Sequence, residues 1–134
     1  MKNEMLAAVL YGREELRVEP VAIPQIEPAD VLVKVNVALT CGTDLKVFRR
    51  GYHARMIVPP AVLGHELAGD VVQAGSQVKN FRVGQRVVAA NSAPCDNCYF
   101  CLRGQENLCE NLLFNNGAYA EYIRIPGQIV RKNT

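Results

Sequence analysis

Histidine is scarce in this 134-residue chain, which holds two, and a glycine-rich G-x-G-x-x-G run is missing altogether. Without that run there is no fingerprint for a dinucleotide pyrophosphate at a strand-to-helix turn. An excess of charge of one sign is also lacking. Fifteen Lys and Arg stand against 13 Asp and Glu, a formal net charge of +2. The basic residues are scattered, so there is no electrostatic footprint for nucleic acid. Arg49 and Arg50, the nearest approach to a basic cluster, read as a solvated turn. Long apolar runs are absent too: Met5 to Tyr11, the longest near the start, is too short to span a bilayer and lacks a signal peptide's basic lead and cleavage site. A soluble, cytoplasmic protein with no membrane partner is expected. No repeat, low-complexity tract or linker divides the chain, and 49% hydrophobic with 21% charged residues suffices for one compact domain with its own core.

The patterning is mostly that of strands. In VLVKVNVALT, Val31, Val33, Val35 and Val37 alternate strictly, the period of a half-buried strand. Similar runs lie at Met5 to Tyr11, Leu67 to Gln73, Gln85 to Ala90 and Ala118 to Ile125. Glycines and prolines such as Gly12, Pro20, Gly75, Gly84 and the Pro59-Pro60 pair separate them, so strands can end or bend there. Many short strands with such breaks predict an open barrel or sandwich rather than alternating βαβ units. Two stretches read as helical: TDLKVFRRG after Cys41, with Thr43 or Asp44 as cap, and YFCLRG.

Cysteine is what the chain concentrates. Cys95, Cys98, Cys101 and Cys109 form C-x2-C-x2-C-x7-C, and Cys41 stands alone far upstream. In a reducing compartment such a cluster holds a metal more often than disulfides. Four thiolates on one short loop can enclose a tetrahedral zinc, filling every position so that the ion has a structural role. An iron–sulfur cluster is the alternative, because C-x2-C-x2-C opens the bacterial ferredoxin run. Here the fourth cysteine follows seven residues on, and Glu110 stands where that run has proline. Disulfides or free thiols are the remaining readings. Cys41 has possible co-ligands in His65 and Glu66, a set that suits a catalytic zinc with one open position. A buried thiol and a core imidazole are the competing reading.

The stretch GHELAGDVVQAGSQVKNFRVGQRV, Gly64 to Val87, together with CGTDLK and the four-cysteine lobe in that order, resembles the zinc-dependent medium-chain alcohol dehydrogenases. The likeness runs from about Met5 to Val130 and is greatest to the branch with polyol, threonine and general alcohol dehydrogenases. It implies that residues 1–134 form a GroES-like catalytic domain, a partly open β-barrel with short helices and a four-cysteine zinc lobe. It further implies that Cys41 and His65 bind a catalytic zinc with Glu66 beside it, and that Cys95, Cys98, Cys101 and Cys109 bind a structural zinc. Thr43 matches the hydroxyl residue that takes the alcohol's proton, and Asp44 the carboxylate that orients the ligating histidine. Glu66 also admits a purely structural reading, fixing backbone or an arginine. Phe48 and Phe114 read first as core aromatics, with the substrate cleft as their other possible place.

The implied reaction is oxidation of a primary or secondary alcohol or polyol by hydride transfer to NAD or NADP, in a homo-oligomer, dimer or tetramer, when full length. Lys46 departs from the histidine that many relatives use to pass the proton outward. Gly42 departs from an arginine that some place on the cofactor. The Rossmann cofactor domain is missing from this sequence, so the chain is expected to be a domain of a longer dehydrogenase, inactive alone. A non-catalytic zinc-stabilised GroES-like binding or assembly module is the alternative.

Overall fold

The computed structural model describes residues 3–132. Strands dominate, as expected. Strand β1 (Glu4–Gly12) turns at Arg13 and Glu14 into β2 (Glu15–Ala22) in an antiparallel hairpin pairing Met5 with Val21 and Val9 with Arg17. The sequence reading found β1 but missed β2, and the burial shows why. Leu16 and Val18 are exposed beside charged Glu15 and Arg17, so β2 is an edge strand with no buried face to imprint an alternation. Its Pro20 is tolerated there.

The second sheet is centred on β3 (Val31–Leu39), flanked by β5 (Glu66–Ala74) and β9 (Tyr122–Ile125), with β6 (Arg86–Val88) beyond β5. Val31 and Val33 face the core as the alternation predicts, whereas Val37 is 52% exposed. The register against β5 shifts between Val35 and Val37, and this bulge turns the next residue, Ala38, toward the core instead. The exposed end of β3 is thereby aimed at the functional cleft. Of the other expected strands, Leu67 to Gln73 lies within β5, while Gln85 to Ala90 and Ala118 to Ile125 shorten to β6 and β9. Short β4 (Ala61–Val62) joins β1, and β7 (Ser92–Ala93) pairs with β8 (Leu113–Phe114).

Helix α1 (Gly42–Arg50) occupies the predicted position, but neither Thr43 nor Asp44 is its N-cap. Cys41 caps it: the Thr43 N–H donates to Cys41 Sγ at 3.3 Å, and the Cys41 N–H donates to Asp44 Oδ2 at 3.0 Å. The reciprocal pair is a capping box with sulfur in place of a hydroxyl. Arg49 and Arg50 form the exposed last turn, where they complement the helix dipole, rather than a bare turn. At Gly51 the chain leaves with φ 88°, and an added Cβ would lie 2.4 Å from the Arg13 backbone nitrogen. Two cores result. A larger one gathers Val31, Val33, Val71, Ile123, Ile125 and Ile129, and a smaller one packs Val47 of α1 against Leu10, Ile57 and Leu63, with Phe48 at its edge.

The expected helix at YFCLRG is reduced to single 3-10 turns, Cys101–Arg103 and Glu106–Leu108, inside a lobe spanning Cys95 to Cys109. Tyr99, Leu102 and Leu108 are exposed, so the lobe has no apolar core of its own. It is tied down by α2 (Gly127–Lys132), which the sequence reading did not foresee. Gln128 donates to the Ala93 and Pro94 carbonyls at 3.0 and 2.5 Å, and Lys132 Nζ donates to Asp96 at 2.6 Å and Glu106 at 2.8 Å. Among the described residues no helix is long and apolar enough to cross a membrane.

Candidate metal centres and functional cleft

The lobe brings its four cysteine sulfurs within 4.8 Å of one another. Sulfurs held ~2.3 Å from one ion at tetrahedral angles lie ~3.8 Å apart. Cys95 Sγ and Cys101 Sγ stand at 3.9 Å, which fits that requirement and is far longer than a disulfide bond. An iron–sulfur cluster distributes its cysteines over different irons and needs a wider spread, so the geometry suits a single ion. The electrostatics ask for one. Backbone N–H groups of Cys101 and Glu110 lower the Cys98 thiol to about 6. Burial first, and then its neighbouring sulfurs, push Cys101 up to about 12. The Asn97 N–H lowers Cys95 as well. Four thiols this close cannot all ionise side by side, and a divalent cation removes the conflict. The donor set, all sulfur with no gap, is that of a closed zinc site.

The second cluster joins two arms of the fold. Cys41 sits at the start of α1, where the cap turns its sulfur inward. His65 immediately precedes β5, reached through Gly64 at φ +91°. Cys41 Sγ and His65 Nε2 are 3.2 Å apart, close to the ~3.5 Å that a shared tetrahedral zinc would impose. His65 is buried, and its Nδ1 faces Asp44 Oδ1 at 3.3 Å. A proton on Nδ1 satisfies that carboxylate and leaves the Nε2 lone pair aimed at the sulfur side, the arrangement usual for a metal-bound imidazole. Glu66 is exposed, its carboxylate within 4.8 Å of both ligand atoms. Three donors, one of them facing solvent, leave a position open.

Beside them a cleft of about 460 Å³ is lined by Val37, Leu39, His65, Glu66, Ala90 and Asn91, among others. Thr43 is half-buried on the first turn of α1 beside Cys41, outside the residues that line this cleft. Gly42 and Lys46 are exposed. Phe48 belongs to the smaller core, whereas Phe114, with the Arg55 guanidinium 5.7 Å above its ring, lines a second cleft of about 650 Å³ that includes none of Cys41, His65 and Glu66.

Sequence reasoning missed Tyr119. Its hydroxyl lies 3.0 Å from Asp44 Oδ2, 2.9 Å from Thr40 Oγ1 and 3.2 Å from the Leu39 carbonyl. Burial holds this phenol above the ordinary tyrosine range, and the Asp44 carboxylate acts the same way against an opposing contribution from Thr40. It is therefore a donor at neutral pH, and its single proton goes to the charged acceptor, Asp44. The one clue in the sequence is the glycine at position 64. A Cβ there would lie 2.5 Å from the Tyr119 ring.

Known proteins are similar to this chain in sequence and fold. The profile described as Alcohol dehydrogenase GroES-like domain matches residues 27–133. An L-threonine 3-dehydrogenase of Chelativorans sp. (strain BNC1) is 44% identical over 132 residues, 94% of this chain and 38% of that protein. A sorbitol dehydrogenase of Bombyx mori is 38% identical, over 96% of this chain and 36% of its own length. Among solved structures, a zinc-binding dehydrogenase of Sinorhizobium meliloti 1021 bound to NADP superposes with a TM-score of 0.85 at 36% identity, covering 96% of this chain and 38% of that one. A thermostable alcohol dehydrogenase of Pyrobaculum aerophilum, bound to cobalt and zinc, gives 0.79 at 30%, covering 92% and 39%. The chain thus spans well under half the length of each of these relatives. With a family match over most of its length and a mostly β fold that carries the four-cysteine lobe, this chain belongs to the GroES-like domain family of the zinc-type alcohol dehydrogenases.

Proposed function

We propose that this chain is the catalytic domain of a zinc- and NAD(P)-dependent alcohol or polyol dehydrogenase, and that residues beyond it in a longer, homo-oligomeric, cytoplasmic protein supply the nicotinamide site. The observation that carries the reading is the pairing of two unlike metal-ligand sets in one small domain. One set is closed and all thiol; the other is Cys–His–Glu with a free position, and its His65 and Glu66 line a cleft. A closed site stabilises and an open one reacts.

In this assignment Cys95, Cys98, Cys101 and Cys109 hold a structural zinc, and Cys41, His65 and Glu66 hold a catalytic one. When bound in the open site, zinc supplies a Lewis acid that polarises an alcohol oxygen and brings its pKa toward neutrality. The protein does the rest. Cys41 Sγ and His65 Nε2 fix the position of the ion, and Asp44 keeps the His65 proton on Nδ1. Val37, Leu39 and Ala90 give the cleft apolar walls against which the substrate's carbon chain can pack. The Thr43 hydroxyl would accept the alcohol's O–H proton while passing its own proton on to solvent, and a nicotinamide held by residues beyond this chain would supply the hydride acceptor for the carbon-bound hydrogen.

The test uses the longer protein. Thr43→Ala keeps every metal ligand, so zinc content holds while kcat falls by ~100- to 10,000-fold, the usual cost of a lost positioned acid or base. Thr43→Ser retains most activity. Cys41→Ser loses one zinc of two together with alcohol oxidation and keeps the lobe. Wild-type protein with a single inert zinc and no alcohol oxidation would make the domain an assembly module instead.

A further inference from the structure

We propose that Tyr119 is a positioning residue of the Cys41–His65 site, holding its two arms in register through Asp44 and Gly64. The proposal rests on the reading that Cys41, His65 and Glu66 bind a metal ion.

The two arms of the site come from separate segments. Cys41 and Asp44 belong to the start of α1, and His65 to the entry of β5, 24 residues from Cys41. Tyr119 reaches both from a third segment, ahead of β9. Toward the first arm it donates to Asp44 Oδ2 at 3.0 Å, the same oxygen that accepts the Cys41 N–H at 3.0 Å. Two donors on one oxygen stop the carboxylate from rotating, and the other oxygen is then fixed at 3.3 Å from His65 Nδ1. Imidazole orientation at a metal is set by the partner of its second nitrogen, so the tyrosine acts on Nε2 at one remove. Toward the second arm, the Tyr119 N–H donates to the Leu63 carbonyl at 2.9 Å, and its ring occupies the space a side chain at position 64 would need. The Gly117 and Ala118 N–H groups donate to the Gly64 carbonyl at 2.8 and 3.0 Å, completing the splint just before His65. Asp44 is itself buried, at 6% exposure, so water does not readily replace a lost phenol.

Tyr119→Phe is the informative variant, because it keeps the ring against Gly64 and removes only the hydroxyl. The chain is loaded with zinc at the lobe and then titrated with cobalt(II), reading affinity for the second ion and its visible spectrum, which reports ligand geometry. The expected result is about 10-fold weaker cobalt binding and an altered spectrum, the lower end of what loss of a ligand's outer partner costs. Zinc content of the lobe stays unchanged. Thr40→Val, which removes the hydroxyl's other side-chain neighbour without touching Asp44, leaves the cobalt affinity as in wild type. Cobalt binding and spectrum in Tyr119→Phe identical to wild type overturn the proposal while the metal site stands. A wild-type chain that takes up no second cobalt overturns the metal site itself, and the positioning role with it.

Discussion

Removing one lobe thiol, by Cys98→Ser, is expected to cost the whole lobe its fold while leaving the barrel folded but less stable. The reasoning starts from what the lobe lacks. Tyr99, Leu102 and Leu108 face solvent, and only Cys98 and Cys109 of the four ligands are buried, so little apolar area holds Cys95 to Cys109 together. The ion is the cross-link. Structural zinc in small peptide sites is worth ~10 to 16 kcal/mol of apparent binding energy at neutral pH, far above what the remaining contacts supply. Part of that energy folds only the lobe, so the effect on the barrel is smaller. Closing a 15-residue loop stabilises a protein by ~3 kcal/mol in the chain-entropy account, and a domain of this size shifts by ~3 to 5 °C per kcal/mol. The melting temperature should therefore fall by ~10 °C or more, with about one zinc lost per chain. Calorimetry with metal analysis measures both. Hydrogen exchange should show the amides of Leu102, Gly104 and Cys109, now bonded to Cys98, Cys101 and Glu106 carbonyls, losing protection while Val35 and Val71 keep theirs. An unchanged melting curve with zinc intact would refute the argument, since three thiols would then suffice.

The lobe was legible because its ligands are local: four cysteines within one short loop announce their chemistry by spacing alone. The cleft pair was not. Cys41 and His65 are separated by 24 positions and meet only because α1 begins where β3 ends and β5 begins where His65 leaves its loop, a meeting that no periodicity records. Resemblance to a family carried that inference. Tyr119 lies 75 residues from Asp44, and a hydroxyl on a short GAYAEY run looks like any other strand-end tyrosine. The fold reading failed where local pattern and tertiary need diverge. An edge position let β2 form without an apolar face, the bulge at Val35 to Val37 inverted the last part of β3, and the helix cap falls two residues before the expected Thr43 because Cys41 and Asp44 close a capping box.

Metal retention should depend on pH with a definite sign. Cys101, pushed up to about 12 without metal, must surrender its proton on binding, so lobe affinity rises with pH; Cys98, lowered to about 6, holds out longest on acidification, and zinc release measured with a chromogenic chelator should steepen as pH falls through that value. Rising retention on acidification would overturn this order. Mild chelation of the chain at neutral pH should leave about one zinc, because four thiolates close one site and the Cys41–His65–Glu66 set leaves the other open; two tightly retained ions would show that both sites are complete. The last prediction concerns Gly64→Ala. The residue sits at φ +91°, where an L side chain is strained by ~1 to 3 kcal/mol, and its new Cβ would lie 2.5 Å from the Tyr119 ring. Either the ring or the Leu63–His65 backbone must move, so the variant should lose both stability and affinity for the second metal while the lobe keeps its zinc. The two causes separate in a double-mutant cycle with Tyr119→Ala. Removing the ring relieves the contact but not the backbone strain, so the second substitution should cost less on Gly64→Ala than on wild type, with a coupling of ~1 kcal/mol or more. Strict additivity would mean that ring and glycine do not meet, and that the second arm of the site is held by backbone hydrogen bonds alone.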